Sequence, residues 1–286
     1  MDDGKLRALL TAVDCGSFSK AAAQLGYTQS AMTHLVNKLE AEIGCTLLER
    51  DSQGIRLTDA GRQLLPYIQN VVCACDTLLQ EAAEQSDPRE RTLRIGCFAS
   101  IARARLPELL RAFRAEHPEI QMDVLVRSDE LQAALASGRI QLALVDEARA
   151  KGFDFQPLAD APLVAAVPPD FPWEEDTIPL ERLLREPFLS SPDQYIEPFL
   201  PADAPRIEVS ASDDGAILSM VAAGLGVAVL SSFSLVGYEE RVRVLQLEQP
   251  ISLRLGAAVK SINAAGTSAR TFLSFLCAYY GQEERL

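Results

Sequence analysis

Thr28-Gln29-Ser30-Ala31-Met32-Thr33-His34-Leu35-Val36-Asn37-Lys38-Leu39-Glu40-Ala41-Glu42-Ile43-Gly44 decides how the first third of the chain is read. Thr28 offers a hydroxyl N-cap and Gly44 a stop, so the spacing predicts a helix from Thr28 to about Glu42. At about 100° per residue, Met32, Leu35, Val36, Leu39 and Ile43 share one apolar sector. Gln29, Ser30, Thr33, His34 and Asn37 lie opposite, with Lys38 at the edge, and no acid enters that face before Glu40. A solvated helix face ordinarily mixes Glu with Lys at i, i+4. Amide and hydroxyl groups instead pair with base edges in a major groove, while His and Lys reach phosphates. Taken alone, the helix leaves DNA reading and a plain polar surface equally open.

Its neighbours tilt the balance. Upstream, Leu6, Leu9, Leu10 and Val13 mark an amphipathic first helix that stops at Gly16. Ser17 or Ser19 can cap a short second helix, Lys20 to Leu25, which Gly26 ends. Three short helices with tight turns are helix-turn-helix material. Downstream, Leu47 to Arg50 and Ile55 to Leu57 flank the turn tetrad Asp51-Ser52-Gln53-Gly54. That hairpin carries Arg50 and Arg56 where a wing would touch the sugar-phosphate backbone.

Gly16-Ser17-Phe18-Ser19-Lys20-Ala21-Ala22, Gln29 to His34, Leu39-Glu40, Gly44, and Arg50 through Leu57-Thr58-Asp59-Ala60-Gly61 together resemble the N-terminal signature of LysR-type transcriptional regulators. Ser30 replaces the usual Pro, Leu48 stands where Phe is commoner, and Leu35 takes a position that is often Gln. The resemblance implies a winged helix-turn-helix over 1–58 that binds double-stranded promoter or operator DNA. Its contact residues are expected to be Ser19, Thr28, Gln29, Ser30, Thr33, His34, Asn37, Lys38, Arg50, Gln53 and Arg56.

From Thr58 a long helix is expected to run to about Glu84, kinked at Pro66. Leu64, Ile68, Val71, Cys75, Leu78 and Ala82 are spaced 4, 3, 4, 3, 4, the pattern of a coiled-coil seam. One helix packed on its own domain is the alternative. The resemblance favours the seam, with 59–91 as dimerisation linker and hinge, and implies a homodimer that pairs into a homotetramer.

Residues 92–286 alternate strands and helices twice over, which implies two α/β lobes with a cleft between them. Strands are expected at Leu93–Cys97, Ile120–Val126, Gln141–Val145, Pro162–Val167, Ile207–Ser210, Gly226–Leu230, Arg241–Leu247 and Ile251–Val259. Leu93 to Gly96, Gly138 with Leu142-Ala143-Leu144, and Ala223 to Val227 resemble the LysR-type effector domain, a fold of type 2 periplasmic binding proteins; Gln141 departs from the usual Asp. The fold expected is therefore α+β followed by α/β: winged helix-turn-helix, coiled-coil linker helix, and a two-lobed periplasmic-binding-protein-like domain. Lobe 1 would take 92–160 and 267–286, lobe 2 161–266. The resemblance places effector-binding residues at Ser100, Ile101, Ser128, Asp146, Ser190 and Ser191. Helix N-termini near Ser100 and Ser128, with Arg103 and Arg127 close by, favour an anion; Asp146 and the acidic domain speak for a cation. The expectation is a small polar effector, an anion over a cation.

Composition narrows the class. Net charge is −13, but residues 1–62 hold seven Lys/Arg against eight Asp/Glu, a balance of −1 that leaves −12 downstream. DNA affinity must then come from local placement of a few cations. No stretch approaches the roughly 18–20 apolar residues of a membrane span, and the acidic start of the chain lacks a signal-peptide pattern, so a soluble cytoplasmic protein without membrane contact is expected. Six scattered cysteines, with only His34 and His117, suggest neither a disulfide framework nor a metal site. Peroxide-sensing members of the family use a cysteine pair in the second lobe, and residues 161–266 contain none. There is no Walker loop, nucleotide-binding glycine motif or nucleophile elbow, so no enzyme, catalytic residue or cofactor is expected. A solute-binding protein and an enzyme on the same two-lobed fold are the competing classes. RNA polymerase would be a partner if the regulator activates.

Overall fold

Short polar caps and glycine stops set the first elements. A computed structural model describes residues 2–51, 54–86, 91–190, 205–209 and 214–283. Gln53 and Ser191 fall outside these, as does most of the expected hinge, and of Arg50 only the backbone is described. The chain divides into two compact units, Met1–Pro88 with Ala136–Arg139, and Arg89–Leu135 with Ile140–Leu286.

In the first unit, α1 (Asp3–Cys15), α2 (Phe18–Leu25) and α3 (Gln29–Ile43) end at Gly16, Gly26 and Gly44, each with the positive φ that a side chain resists. Thr28 Oγ1 accepts from the Ala31 N–H at 3.2 Å, as its capping role requires. Ser17 holds the N-cap position of α2 but makes no side-chain capping bond. Leu6, Leu9, Met32, Val36 and Leu39 meet in one core. The hairpin β1 (Leu48–Asp51) and β2 (Gly54–Leu57) follows, with Glu49 opposite Arg56.

The long helix α4 spans Asp59–Ser86 and continues through Pro66. At Leu64 and Ile68 its apolar spacing serves the chain's own core, where the expected seam had a partner helix. Ile68 is 6% exposed within a single chain and, with Val72 and partly buried Leu64, packs into the first core. Heptad spacing cannot tell whether the surface it covers belongs to the same chain or another. What α4 leaves outside is Tyr67, Val71, Leu78 and Leu79.

The second unit is built around one eight-stranded sheet. In the first lobe, β3 (Thr92–Cys97) lies parallel between β4 (Gln121–Val126) and β5 (Leu142–Asp146). Between β3 and β4 the chain forms two helices, α5 (Ala99–Ala104) and α6 (Leu106–Glu116). Pro107 is the cause: it lacks an N–H and clashes with the preceding turn, so it fits only a helix start. A short α7 (Leu131–Ala136) covers one face of the sheet. The other is packed by α6 and α10 (Thr267–Glu283), where Phe113 meets Phe272 edge-on at 4.8 Å.

β6 runs Asp154–Val167, eight residues earlier than the strand expected at Pro162. Its first part pairs with β12 (Ser252–Val259); its second pairs with β10 (Ala228–Ser231) and β11 (Arg243–Leu247). β12 also pairs with β5, so the chain re-enters the first lobe at β12 and not at 267 as expected. The second lobe adds β7 (Thr177–Ile178), α8 (Leu180–Leu183), the parallel pair β8 (Phe188–Ser190) and β9 (Arg206–Glu208), and α9 (Gly215–Ala222). From that lobe the turn Ser232–Leu235 reaches back: Phe233 packs on the first-lobe core, with Arg105 5.0 Å over its ring.

Candidate DNA-reading face and effector pocket

The residues expected to read DNA stand on α3 and the hairpin, fixed by hydrogen bonds from below. Glu40 Oε1 accepts from the Leu47 and Leu48 N–H groups at 2.7 and 2.9 Å, clamping the start of β1 to α3. The hairpin is tied to the α1–α2 turn, where the Ile55 N–H donates to the Gly16 carbonyl at 3.1 Å. Thr58 Oγ1 donates to the Thr46 carbonyl and accepts from the Gly61 N–H, joining the hairpin to α4. A Cβ at Gly61 would stand 2.2 Å from the Leu47 carbonyl oxygen, so only glycine fits this approach. Arg7 bridges Asp3 and Asp76, linking α1 to α4, and those carboxylates raise its already high pKa further. Lys5 pairs with Glu42, holding that carboxyl below its usual range.

On this frame Gln29, Ser30, His34, Asn37 and Lys38 are exposed and Thr33 is half-buried, while Met32, Val36 and Leu39 face the core. Ser19 Oγ donates to Gln29 Oε1 at 3.0 Å, so the first turn of α2 orients the first amide of α3. The Thr28 and Ser30 hydroxyls lie 3.1 Å apart. Arg56 is exposed on β2. Sequence reasoning passed over Tyr27, an exposed phenol beside the start of α3. It follows Gly26 at a helix end, which is also where a purely structural tyrosine would sit.

For the effector, parallel pairing brings the carboxyl ends of β3, β4 and β5 to one sheet edge, with Cys97 in register with Val126 and Leu144. Ser100 and Ser128 follow the ends of β3 and β4, and Asp146 closes β5. Beside them lies a cavity of about 300 Å³ in the first lobe. Its polar lining is Ser128, Asp129, Gln132 and Arg149; Leu131, Leu135, Ala143, Val145 and Ala258 supply the apolar floor, flanked by Phe98 and Phe153. Ser128 thus reaches the cavity, and Ser100 is not among its walls. Ile101 turns its side chain into the first-lobe core. Ser190 is fully buried at the end of β8, its carbonyl accepting from the Val209 N–H at 2.8 Å.

Several sequence expectations change here. Phe98, not Ser100, holds the N-cap position of α5, and Ser128 precedes α7 by three residues. Both helices are only six residues long, too short for the dipole argument to carry an anion. Arg127 pairs with Glu130 at 3.4 Å, and Asp146 accepts from Arg149 Nη1 and the Arg149 N–H at 2.9 Å each. Arg127 and Asp146, which spoke for opposite signs of ligand, are thus each paired within the chain. Sequence reasoning missed Arg149, because an arginine three residues past a strand in a turn belongs to no motif.

Cys97 is fully buried, and desolvation pushes its thiol up to about 12. Burial also raises Cys277. A thiol so protonated at neutral pH is a poor nucleophile. If the chain binds DNA as its sequence leads one to expect, a Cys97→Ala protein should bind it as the parent does, with or without peroxide treatment. Loss of regulation with fold and DNA affinity intact would assign Cys97 a sensing role.

Among the described residues no helix is long and apolar enough to cross a membrane, and no group of three His, Cys, Asp or Glu is placed to hold a metal. Two family models match: "bacterial regulatory helix-turn-helix protein, lysR family" over residues 4–62 and "LysR substrate binding domain" over 86–280. A protein described as a probable hydrogen peroxide-inducible genes activator of Mycobacterium xenopi is 34% identical, over 58% of this chain and 89% of that one. A full-length OxyR variant from Pseudomonas aeruginosa is 23% identical with a TM-score of 0.70, covering 98% of this chain and 94% of its own. Full-length CbnR in complex with its target DNA is 20% identical with a TM-score of 0.64, covering 96% and 99%. At such identities the two structures establish a shared fold.

Proposed function

The chain belongs to the LysR family of bacterial transcriptional regulators, and on that premise we propose how its halves divide the work. It is a DNA-binding regulator under the control of a small-molecule effector bound in the C-terminal domain. In our reading, α3 enters the major groove with Gln29, Ser30, Thr33 and Asn37 toward base edges. Ser19, Thr28, His34, Lys38, Arg50, Gln53 and Arg56 serve the backbone and hold register. Protomers join through the outer face of α4 into dimers and then tetramers. The protein works in the cytoplasm, without catalysis of its own, and meets RNA polymerase where it activates. The effector is a small molecule with a polar group, held near Ser100 and Ser128, and Ser190 with Ser191 would complete the site from the second lobe.

The observation that carries this reading is the exposed, acid-free amide and hydroxyl face of α3, set on a packed core beside an arginine-bearing hairpin. Replacing Gln29 or Thr33 by Ala should alter preference at one base pair by about 1–3 kcal/mol. Arg56→Ala should weaken all sequences alike and reduce the salt slope by about 1. Gel retardation of the protein's own promoter region, repeated over a salt series, measures both. Failure of the full-length protein to shift any promoter DNA at low salt would sink the reading.

A further inference from the structure

We propose that the first-lobe cavity takes an uncharged, largely apolar molecule with one polar head, and that the effector is of this class. The proposal rests on the effector-controlled reading above. It starts from Asp146, which is 2% exposed and accepts twice from Arg149 at 2.9 Å. The Arg149 guanidinium also lies 5.1 Å over the Phe98 ring. A ligand carboxylate that drew Arg149 toward itself would take the partner from a buried carboxylate, which is costly because a buried charge must be paired. An ammonium would meet Arg149 on the cavity wall before it could reach Asp146. Each kind of ion is opposed by a pair already made.

The remaining surface rewards something else. Phe98 and Phe153 flank the cavity with half-buried rings over a floor closed by Leu135 and Val145, and a planar apolar body is desolvated against those rings. Ser128 brings a hydroxyl to the cavity for one head group, and Gln132, whose Nε2 donates to the Arg149 carbonyl at 2.8 Å, brings its amide oxygen. At about 300 Å³ the space suits a molecule of one ring. Asp129 on the lining repels anions, and its pull on a cation is set against the Arg149 guanidinium on the same wall.

The test uses three near-isosteric probes, phenylacetamide, phenylacetate and phenethylamine, on the full-length protein. At saturation the amide should raise the thermal midpoint by about 5 °C or more, and the two ions should leave it nearly unchanged. Leu135→Trp, which fills the cavity, should abolish the amide's effect. If that variant does not fold, the methyl resonances of Leu135 and Val145 in the unaltered protein take its place and should move with the amide. Tighter binding of either ion overturns the proposal, as does an amide effect that survives Leu135→Trp or leaves those methyls still. Silence from all three probes overturns it as well. Promoter binding by the unliganded full chain is scored separately, so loss of the regulator reading and loss of this ligand class are distinguishable.

Discussion

A Leu78→Glu/Leu79→Glu protein is expected to run as a monomer and to lose about 10²–10⁴-fold in affinity for promoters with two half-sites. Leu78 and Leu79 are 69% and 65% exposed, beside Tyr67 and Val71 on the same helix. Four large apolar side chains left in water along one helix call for a partner surface, and the first core is already filled by Leu64, Ile68 and Val72. Two glutamates there would be buried without cations at a dimer seam. A monomer loses the second, effectively intramolecular binding event but keeps α3 and the hairpin. Affinity for a single half-site should therefore stay within about twofold, since no contact to DNA is altered. Light scattering and gel retardation on one- and two-half-site DNA measure the two effects. An unchanged oligomer would place the assembly surface elsewhere.

Arg149→Met should cost the C-terminal domain about 3 kcal/mol, the lower end of the range for stripping a buried ion of its partner. The Asp146 side chain is 4% exposed while that of Arg149 is 30% exposed, so the carboxylate is left in the worse position. Methionine keeps most of the stem volume, which isolates the charge from the packing. The thermal midpoint should drop by about 6–12 °C. Arg149→Met/Asp146→Leu should recover much of the loss, because an apolar pair in that place needs no charge matched. Calorimetry on the three variants decides it: a single variant within 2 °C of the parent would show that the ion pair is not what holds the β5 end in place.

The residues that could be read from sequence share a short range. Thr28, Gly44, Gly16 and Gly26 act within one turn of where they stand, so each helix end of the first unit follows from its own neighbours. The polar face of α3 was legible for the same reason. What escaped depended on distant partners. Asp154–Ala161 contains Pro157 and two acids and has no clear alternation, and it becomes a strand because β12, about a hundred residues away, pairs with it. Ile68 fits a heptad as well as a core position, and only the tertiary packing separates the two. At the candidate effector site, parallel strand order brings Ser128 and Asp146 to one sheet edge. The match of Arg149 to Asp146 reversed the electrostatic reading built on Asp146 alone. Gln53 and Ser191 lie outside the described residues, and their roles remain proposals.

The unbroken β6 has a consequence for how this domain tolerates length change. Its residues Asp154–Pro162 register against β12 and Leu163–Val167 against β10 and β11, so one strand sets the inside–outside parity of both lobes. Side chains alternate with period two, so losing or gaining one residue between Pro157 and Leu163 turns one lobe's inward row outward relative to the other's. Leu158, passed over where the register shifts opposite Leu255 and Gly256, already absorbs one such irregularity. Insertions can accumulate in the loops of such a domain over evolutionary time, whereas along β6 only paired changes of two keep both cores filled.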